Sequence, residues 1–237
     1  MNAISNAYSG LNAAQNRSAA TANNLANVNT PGYRSQRANT STGPNGQGAA
    51  VDSVSISREM GSLRATGNPL DLAIAGNGFL MAQGPGGEPT FSRDGSLSVG
   101  PEGNLVNSQG QAIAPGIQVP DNAESLSVAS DGTVSATVDG EQQELGQIEL
   151  ANFANPEGLS RQGGNQAVAT NASGEPQIGA PGTGGRGQIV SGFLEGSNVD
   201  LVTESVNMIN DANSFSANAT MVRTADEMQR TTIDLVG

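Results

Sequence analysis

The chain of 237 residues contains no cysteine, no histidine and no tryptophan, and all ten of its basic residues are arginine. Each absence excludes a chemistry. Without cysteine there is no disulfide framework, cysteine-ligated zinc, iron–sulfur site or thiol nucleophile. Without histidine there is no histidine triad, histidine metal site or imidazole switch. Without lysine there is no Schiff base and no phosphate-loop lysine. Aromatic residues make up 3% of the chain, too few to line a carbohydrate-cleaving cleft. The apolar runs fall far short of the ~20 residues that a membrane-crossing helix needs. The first ten residues, MNAISNAYSG, lack the basic and apolar regions of a secretory signal.

What is present is acid, glycine and small polar residues. The net charge is −12, which disfavours nucleic acid and anionic membrane surfaces as partners. The 35% apolar content lies below the ~45–50% of ordinary domains, a benchmark that counts glycine. A thin core, or one completed by neighbouring subunits, is expected.

Ile4, Tyr8, Leu11, Gln15, Ser18, Ala22 and Leu25 recur at alternating spacings of four and three. That is a heptad seam on a helix that should stop near Asn29, before the breaker Pro31-Gly32. Residues 35–66 read as a linker or extended segment, small and polar at their start. Residues 67–190 carry short alternating runs and frequent turn signals, the pattern of an all-β domain. Leu97 and Val99 should pair with Leu105, and Leu126 and Val128 with Val134, Ala136 and Val138 across the Asp131-Gly132 turn. Asp139-Gly140 marks the next turn. A flexible glycine-rich loop is expected over 163–187. The tail 191–237 becomes helical from Asn198, with Val199, Val202, Val206 and Ile209 in a second seam extended less regularly by Val222, Met228 and Ile233. Ser197, Asn198 and Asp200 supply helix-entry chemistry.

The expected fold is therefore mixed, α plus mainly β. An N-terminal helix and turn (1–34) and a C-terminal helix form a coiled-coil-like pair, with a central all-β domain of short antiparallel strands. Residues 1–50 hold three arginines and no acid, whereas 195–237 hold seven acids against Arg223 and Arg230. The two ends can attract each other within a chain or between chains.

Other motifs have plainer explanations. Gly182-Thr-Gly-Gly-Arg-Gly187 matches a dinucleotide fingerprint in spelling, but a strand-like run follows where a helix is required. Asp131, Asp139 and Glu141 lack calcium-loop spacing and read as turn residues. Serines are abundant but nothing activates one. No catalytic, metal or cofactor site is expected.

Four ordered stretches carry a resemblance. Ala22-Asn-Asn-Leu-Ala-Asn-Val-Asn-Thr-Pro-Gly-Tyr-Arg34 is similar to the run that closes the first helix of bacterial flagellar rod and hook proteins. Gly67–Phe79 resembles that family's entry into its β-domain. Phe91–Leu97 with Gly103–Val106 resembles the next stretch. Leu194-Glu-Gly-Ser-Asn-Val199, Asn207-Met-Ile209 and Ala225-Asp-Glu-Met228 resemble the C-terminal helix signature, without the family's usual arginine after the Met-Ile pair.

The resemblance implies a non-enzymatic structural subunit of the flagellar basal-body rod, of proximal or distal type. It implies helical assembly with copies of itself and with other rod or hook subunits across the periplasm. It also implies passage through the flagellar type III export apparatus without a cleaved signal. The expected contact residues are Ile4, Tyr8, Leu11, Asn23, Asn24, Leu25 and Asn27 on the first helix and its exit. On the tail they are Leu194, Val199, Val202, Val206, Ile209 and Met228. Two alternatives are a hook-type axial protein and a secreted β-rich surface or carbohydrate-binding protein. The seams are weak against an ordering cost of ~1–2 kcal/mol per residue, so the termini should need a partner to fold.

Overall fold

A computed structural model describes residues 2–43, 46–84 and 86–236. Two compact units emerge, and neither is a single stretch of chain. Unit 1 is Met1–Val28, Ser35–Ser57 and Val199–Gly237; unit 2 is Asn29–Arg34 and Arg58–Asn198.

Unit 1 consists of helix α1 (Asn2–Ala26), strands β1 (Gln36–Thr42) and β2 (Ala49–Ile56), and helix α2 (Leu201–Val236). The segment expected as a linker or extended chain is thus partly an antiparallel hairpin. Gln36 lies opposite Ile56 and Thr42 opposite Ala49, with a bulge between Asn39 and Thr40. Ser and Thr suffice for strands here because Ala38 is the buried contact of β1. Helix α1 holds the hairpin through side chain to backbone bonds. The Ala49 amide donates to Ser9 Oγ (3.0 Å), and Asn24 accepts from the Gln36 amide (2.7 Å) and donates to its carbonyl (2.9 Å).

Helix α2 starts at Leu201, three residues later than expected, and Asp200 rather than Ser197 or Asn198 is its cap. Its Oδ1 accepts from the Thr203 amide at 2.7 Å, and its carbonyl accepts from Glu204 N. Hydrogen bonds from Thr203 hold the Asp200 carboxyl below the ordinary aspartate value. A depressed carboxyl pKa gives stability that is present above the unfolded value and is lost as pH falls through the folded one. Asp200→Ala should therefore lower the thermal midpoint of the helical signal at pH 7. The gap from the natural chain should narrow in acid, as followed by circular dichroism melts across pH.

The strands of unit 2 are short and antiparallel, with one 3-10 turn at Pro156–Gly158 among them: β3 (Leu63–Ala65), β4 (Leu72–Ala75), β5 (Phe79–Gln83), β6 (Pro89–Ser92), β7 (Ser98–Val99), β8 (Leu105–Val106), β9 (Ala123–Val128), β10 (Thr133–Val138), β11 (Glu141–Gln147), β12 (Leu150–Asn152), β13 (Ser160–Gly163), β14 (Gln166–Val168), β15 (Gln177–Gly179), β16 (Gln188–Ser191) and β17 (Phe193–Glu195). A six-stranded sheet runs β13-β14-β6-β5-β12-β15, and a three-stranded sheet runs β11-β10-β9; β16-β4, β17-β3 and β7-β8 pair separately. Leu72, Ile74, Leu80, Leu105, Ile113, Ile117, Val134, Ile148, Leu150 and Ile189 form one buried apolar cluster. Phe153 makes an edge contact with Phe91 at 4.8 Å between ring centroids.

The turn chemistry acts where the sequence places it. Val134 pairs with Val128 and Ala136 with Leu126, and Val99 pairs with Leu105. Asp139 and Gly140 both adopt positive φ in the β10–β11 hairpin. The region 163–187 is not loop throughout, because β14 and β15 lie in it as members of the large sheet. Residues 191–195 complete β16 and form β17 rather than beginning the C-terminal helix.

Candidate assembly interface

The two helices of unit 1 meet along a face that hydropathy does not mark. Asn24 Nδ2 donates to Glu204 Oε1 at 2.8 Å, Arg17 Nε donates to Asp211 Oδ1 at 2.7 Å, and Gly10 lies against the Asn218 side chain. In each pair the two residue numbers add to the same value, 228. The helices are therefore antiparallel in one constant register, with contacts seven residues apart. On α1 the packed positions are Ala7, Gly10, Ala14, Arg17, Thr21 and Asn24, spaced three and four apart. Ala7, Ala14, Thr21 and Asn24 are buried. This heptad row is the expected one shifted by a single residue, about 100° around the helix.

On α2 the face turned inward carries Glu204, Met208, Asp211, Asn218, Val222 and Ala225, of which Asp211 is buried and the others half-buried. Val202, Val206 and Ile209, whose seam was expected in the coiled-coil-like pair, point the other way. Val202 is 70% and Ile209 60% exposed. At 100° per residue they stand about 180° from the packed face. The physical reason is local. Alanine and glycine on α1 admit close approach, and one ion pair with one amide hub fixes the register, whereas bulkier Val and Ile would hold the helices apart.

The other expected contact residues divide. Tyr8 is 63% exposed and Met228 is open to solvent, whereas Ile4, Leu11, Leu25 and Val199 are half-buried. Asn24 is internal to unit 1, joining α1, β1 and α2. Asn27 donates to the carbonyl and to the side chain of Asn23, capping the helix end. Leu194 is buried in β17 of unit 2 and presents no surface for a neighbour.

A second polar centre lies within unit 2, where residues 29–34 dock. Glu195 is fully buried between two guanidiniums, with Oε1 2.8 Å from Arg34 Nη2 and Oε2 3.6 Å from Arg93 Nη1. The Gly61 amide donates to Glu195 Oε1, and the Gly32 amide donates to the Glu195 carbonyl at 2.7 Å. Arg34 also donates to the Arg58 carbonyl, and Arg93 donates to the carbonyls of Ile74 and Gly76. Arg161 donates to the Arg34 carbonyl and stacks over Tyr33 at 4.5 Å. Burial pushes the Arg93 guanidinium down to about 10; Glu195 opposes the shift and Arg34 adds to it. One carboxylate thus balances two buried cations. Sequence shows Arg17 and Asp211 only among the opposite charges of the two ends, and Arg34, Arg93 and Glu195 only within the stretches that carry the resemblance; it marks none of the five as a contact residue. A usable signal existed for Glu195, a lone acid beside Leu194 in a strand of a charge-poor chain.

The Gly182–Gly187 run leads directly into β16, so it lacks the helix N-terminus that a dinucleotide phosphate requires.

Comparison with known proteins agrees with this architecture at both helices and in the β region. Residues 4–34 match the family model for flagella basal body rod proteins. Residues 73–136 match the D1 domain of the flagellar hook protein FlgE/F/G model, and 190–235 match the C-terminal model of flagellar basal body rod FlgEFG proteins. The chain is 35% identical to the flagellar basal-body rod protein FlgG of Caulobacter vibrioides, over 99% of both chains. It is 32% identical to the Bacillus subtilis protein of that name, over 90% of both. The flagellar hook protein FlgE of Salmonella typhimurium is 44% identical, but over only 56% of this chain and 32% of its own length. Full-length likeness runs to rod proteins and partial likeness to the hook, so the chain belongs to the flagellar basal-body rod protein family and is a structural subunit of the bacterial flagellum.

Proposed function

We propose that the chain builds the rod by helical self-assembly through its terminal helices, with the outward face of α2 as the seam between copies. The observation that carries this reading is the position of Val202, Val206 and Ile209. They are exposed on the side of α2 opposite a face already satisfied by α1. Burying the exposed part of each contributes on the order of 1–2 kcal/mol. A contact between two different faces that does not close on itself propagates a filament, and torque then passes through many small contacts. The role is mechanical and calls for no catalytic residue. Other rod and hook subunits are the natural neighbours at the ends of such a stack. Export by the flagellar type III apparatus and a periplasm-spanning position complete the reading.

Electron microscopy of basal bodies from a strain lacking this chain tests it. A rod that is truncated or missing is the expected result. A complete rod without a hook would transfer the chain to the hook, and intact basal bodies on swimming cells would refute the reading.

A further inference from the structure

Unit 2 carries two exposed features that complement each other. The first is an open groove of about 450 Å³, with Leu70, Val99, Pro101, Pro120 and Leu126 among its walls and Asp121 and Glu124 also lining it. Val99 is 43% exposed. Of the residues that line the groove, Asp121 and Glu124 are acidic and none is basic. Among the described residues no group of carboxylates is arranged to hold a metal ion, so the acidity is available to an organic cation.

The second feature is β3. It pairs with β17 along one edge only, and all three of its residues are exposed. Met60 and Leu63 present apolar side chains to solvent at 45% and 38% exposure. Arg64 lies between Leu63 and Ala65, and among the described residues no carboxylate lies within ion-pair distance of it. Nearby Arg58, by contrast, is paired with Glu157 at 2.8 Å. One chain therefore displays an apolar segment, Met60–Arg64, with one arginine at its far end from Glu59, and an apolar, acidic groove.

We propose that the Met60–Arg64 segment of one copy docks into the Leu70–Val99–Leu126 groove of a second copy, with Arg64 facing Asp121 and Glu124. The inference rests on the self-assembly reading and adds a contact between β-domains to the helical seam. The two surfaces are different, so the contact is heterologous and propagates. Its opposite charges select the register as much as they add affinity.

The chain has no native cysteine, which makes cross-linking clean. Basal bodies are purified from cells producing the Arg64→Cys/Glu124→Cys chain and treated with a short bismaleimide. A ladder at whole multiples of the monomer is expected, absent from either single variant. Monomer alone, from basal bodies shown to contain the chain, overturns the proposal. So does an adduct with another protein, which would mean a different occupant. If the cysteine chain does not assemble, charge reversal decides. Arg64→Glu alone and Asp121→Arg/Glu124→Arg together should each reduce swimming, and the triple variant should recover it. A triple variant no better than the worse parent overturns the proposal. Natural basal bodies that lack the chain altogether would instead refute the rod reading, a result distinct from failure of the groove.

Discussion

Val206→Asp is expected to abolish incorporation of the chain into the rod while leaving the purified monomer as stable as before. Val206 is 50% exposed and lies on the side of α2 away from α1, so a carboxylate there stays hydrated in the isolated chain. Surface substitutions of that kind usually change stability by less than ~0.5 kcal/mol. In an assembled seam the same carboxylate loses its water, which costs several kcal/mol, and the valine contact is lost as well. A penalty of ~4 kcal/mol weakens each contact about a thousandfold, and every copy added carries it again. Motility in soft agar, immunoblots of purified basal bodies and a thermal melt of the monomer read the three parts of this prediction. A variant that swims normally would remove the seam from the account. A variant that melts early would show that Val206 supports the monomer.

Glu195→Gln is expected to act in the opposite place, on folding rather than assembly. It keeps the shape of the side chain and removes the one carboxylate that balances Arg34 and Arg93, both deeply buried. Breaking a buried pair from one side costs ~3–5 kcal/mol because the remaining charge stays uncompensated. Two cations remain here, and the total margin of such a domain is only ~5–15 kcal/mol. Urea unfolding of the purified chain should show a much lower midpoint for the variant, with aggregation or poor yield at 37 °C. Residues 29–34 dock beside Glu195, so hydrogen exchange of the Gly32 amide, which donates to the Glu195 carbonyl, should quicken more than that of the core strands. Retained stability would mean that the guanidiniums are held by their carbonyl acceptors alone.

How far the fold could be read in advance depended on the range of each interaction. Turns are local, and Asp131-Gly132 and Asp139-Gly140 fixed their hairpins through residues a few positions away. The Pro31-Gly32 break after α1 was legible for the same reason, although α1 already ends at Ala26 and α2 begins only at Leu201. The face along which the helices meet was not, because an apolar stripe marks what is eventually buried, not what buries it. In a subunit the stripe can wait for a neighbour while Ala14, Arg17 and Asn24 make the internal contact. Their register is set by Asn24 and Glu204, 180 positions apart, and no periodicity within one helix reports that. The hairpin at 36–56 was hidden by its composition, since Asn-, Ser- and Thr-rich strands look like linker until Asn24 and Ser9 are seen to hold them. The order of the six-stranded sheet was equally out of reach, because β6 finds β14 across more than seventy residues.

The central claim is that the outward face of α2 is buried between copies. A helical reconstruction of the assembled rod by electron cryomicroscopy tests it most directly. The account predicts Val202, Val206 and Ile209 packed against a neighbouring chain, with the Arg17–Asp211 pair retained inside each copy. A map in which those three side chains face open solvent, or in which they have turned to contact α1 of their own chain, would contradict it.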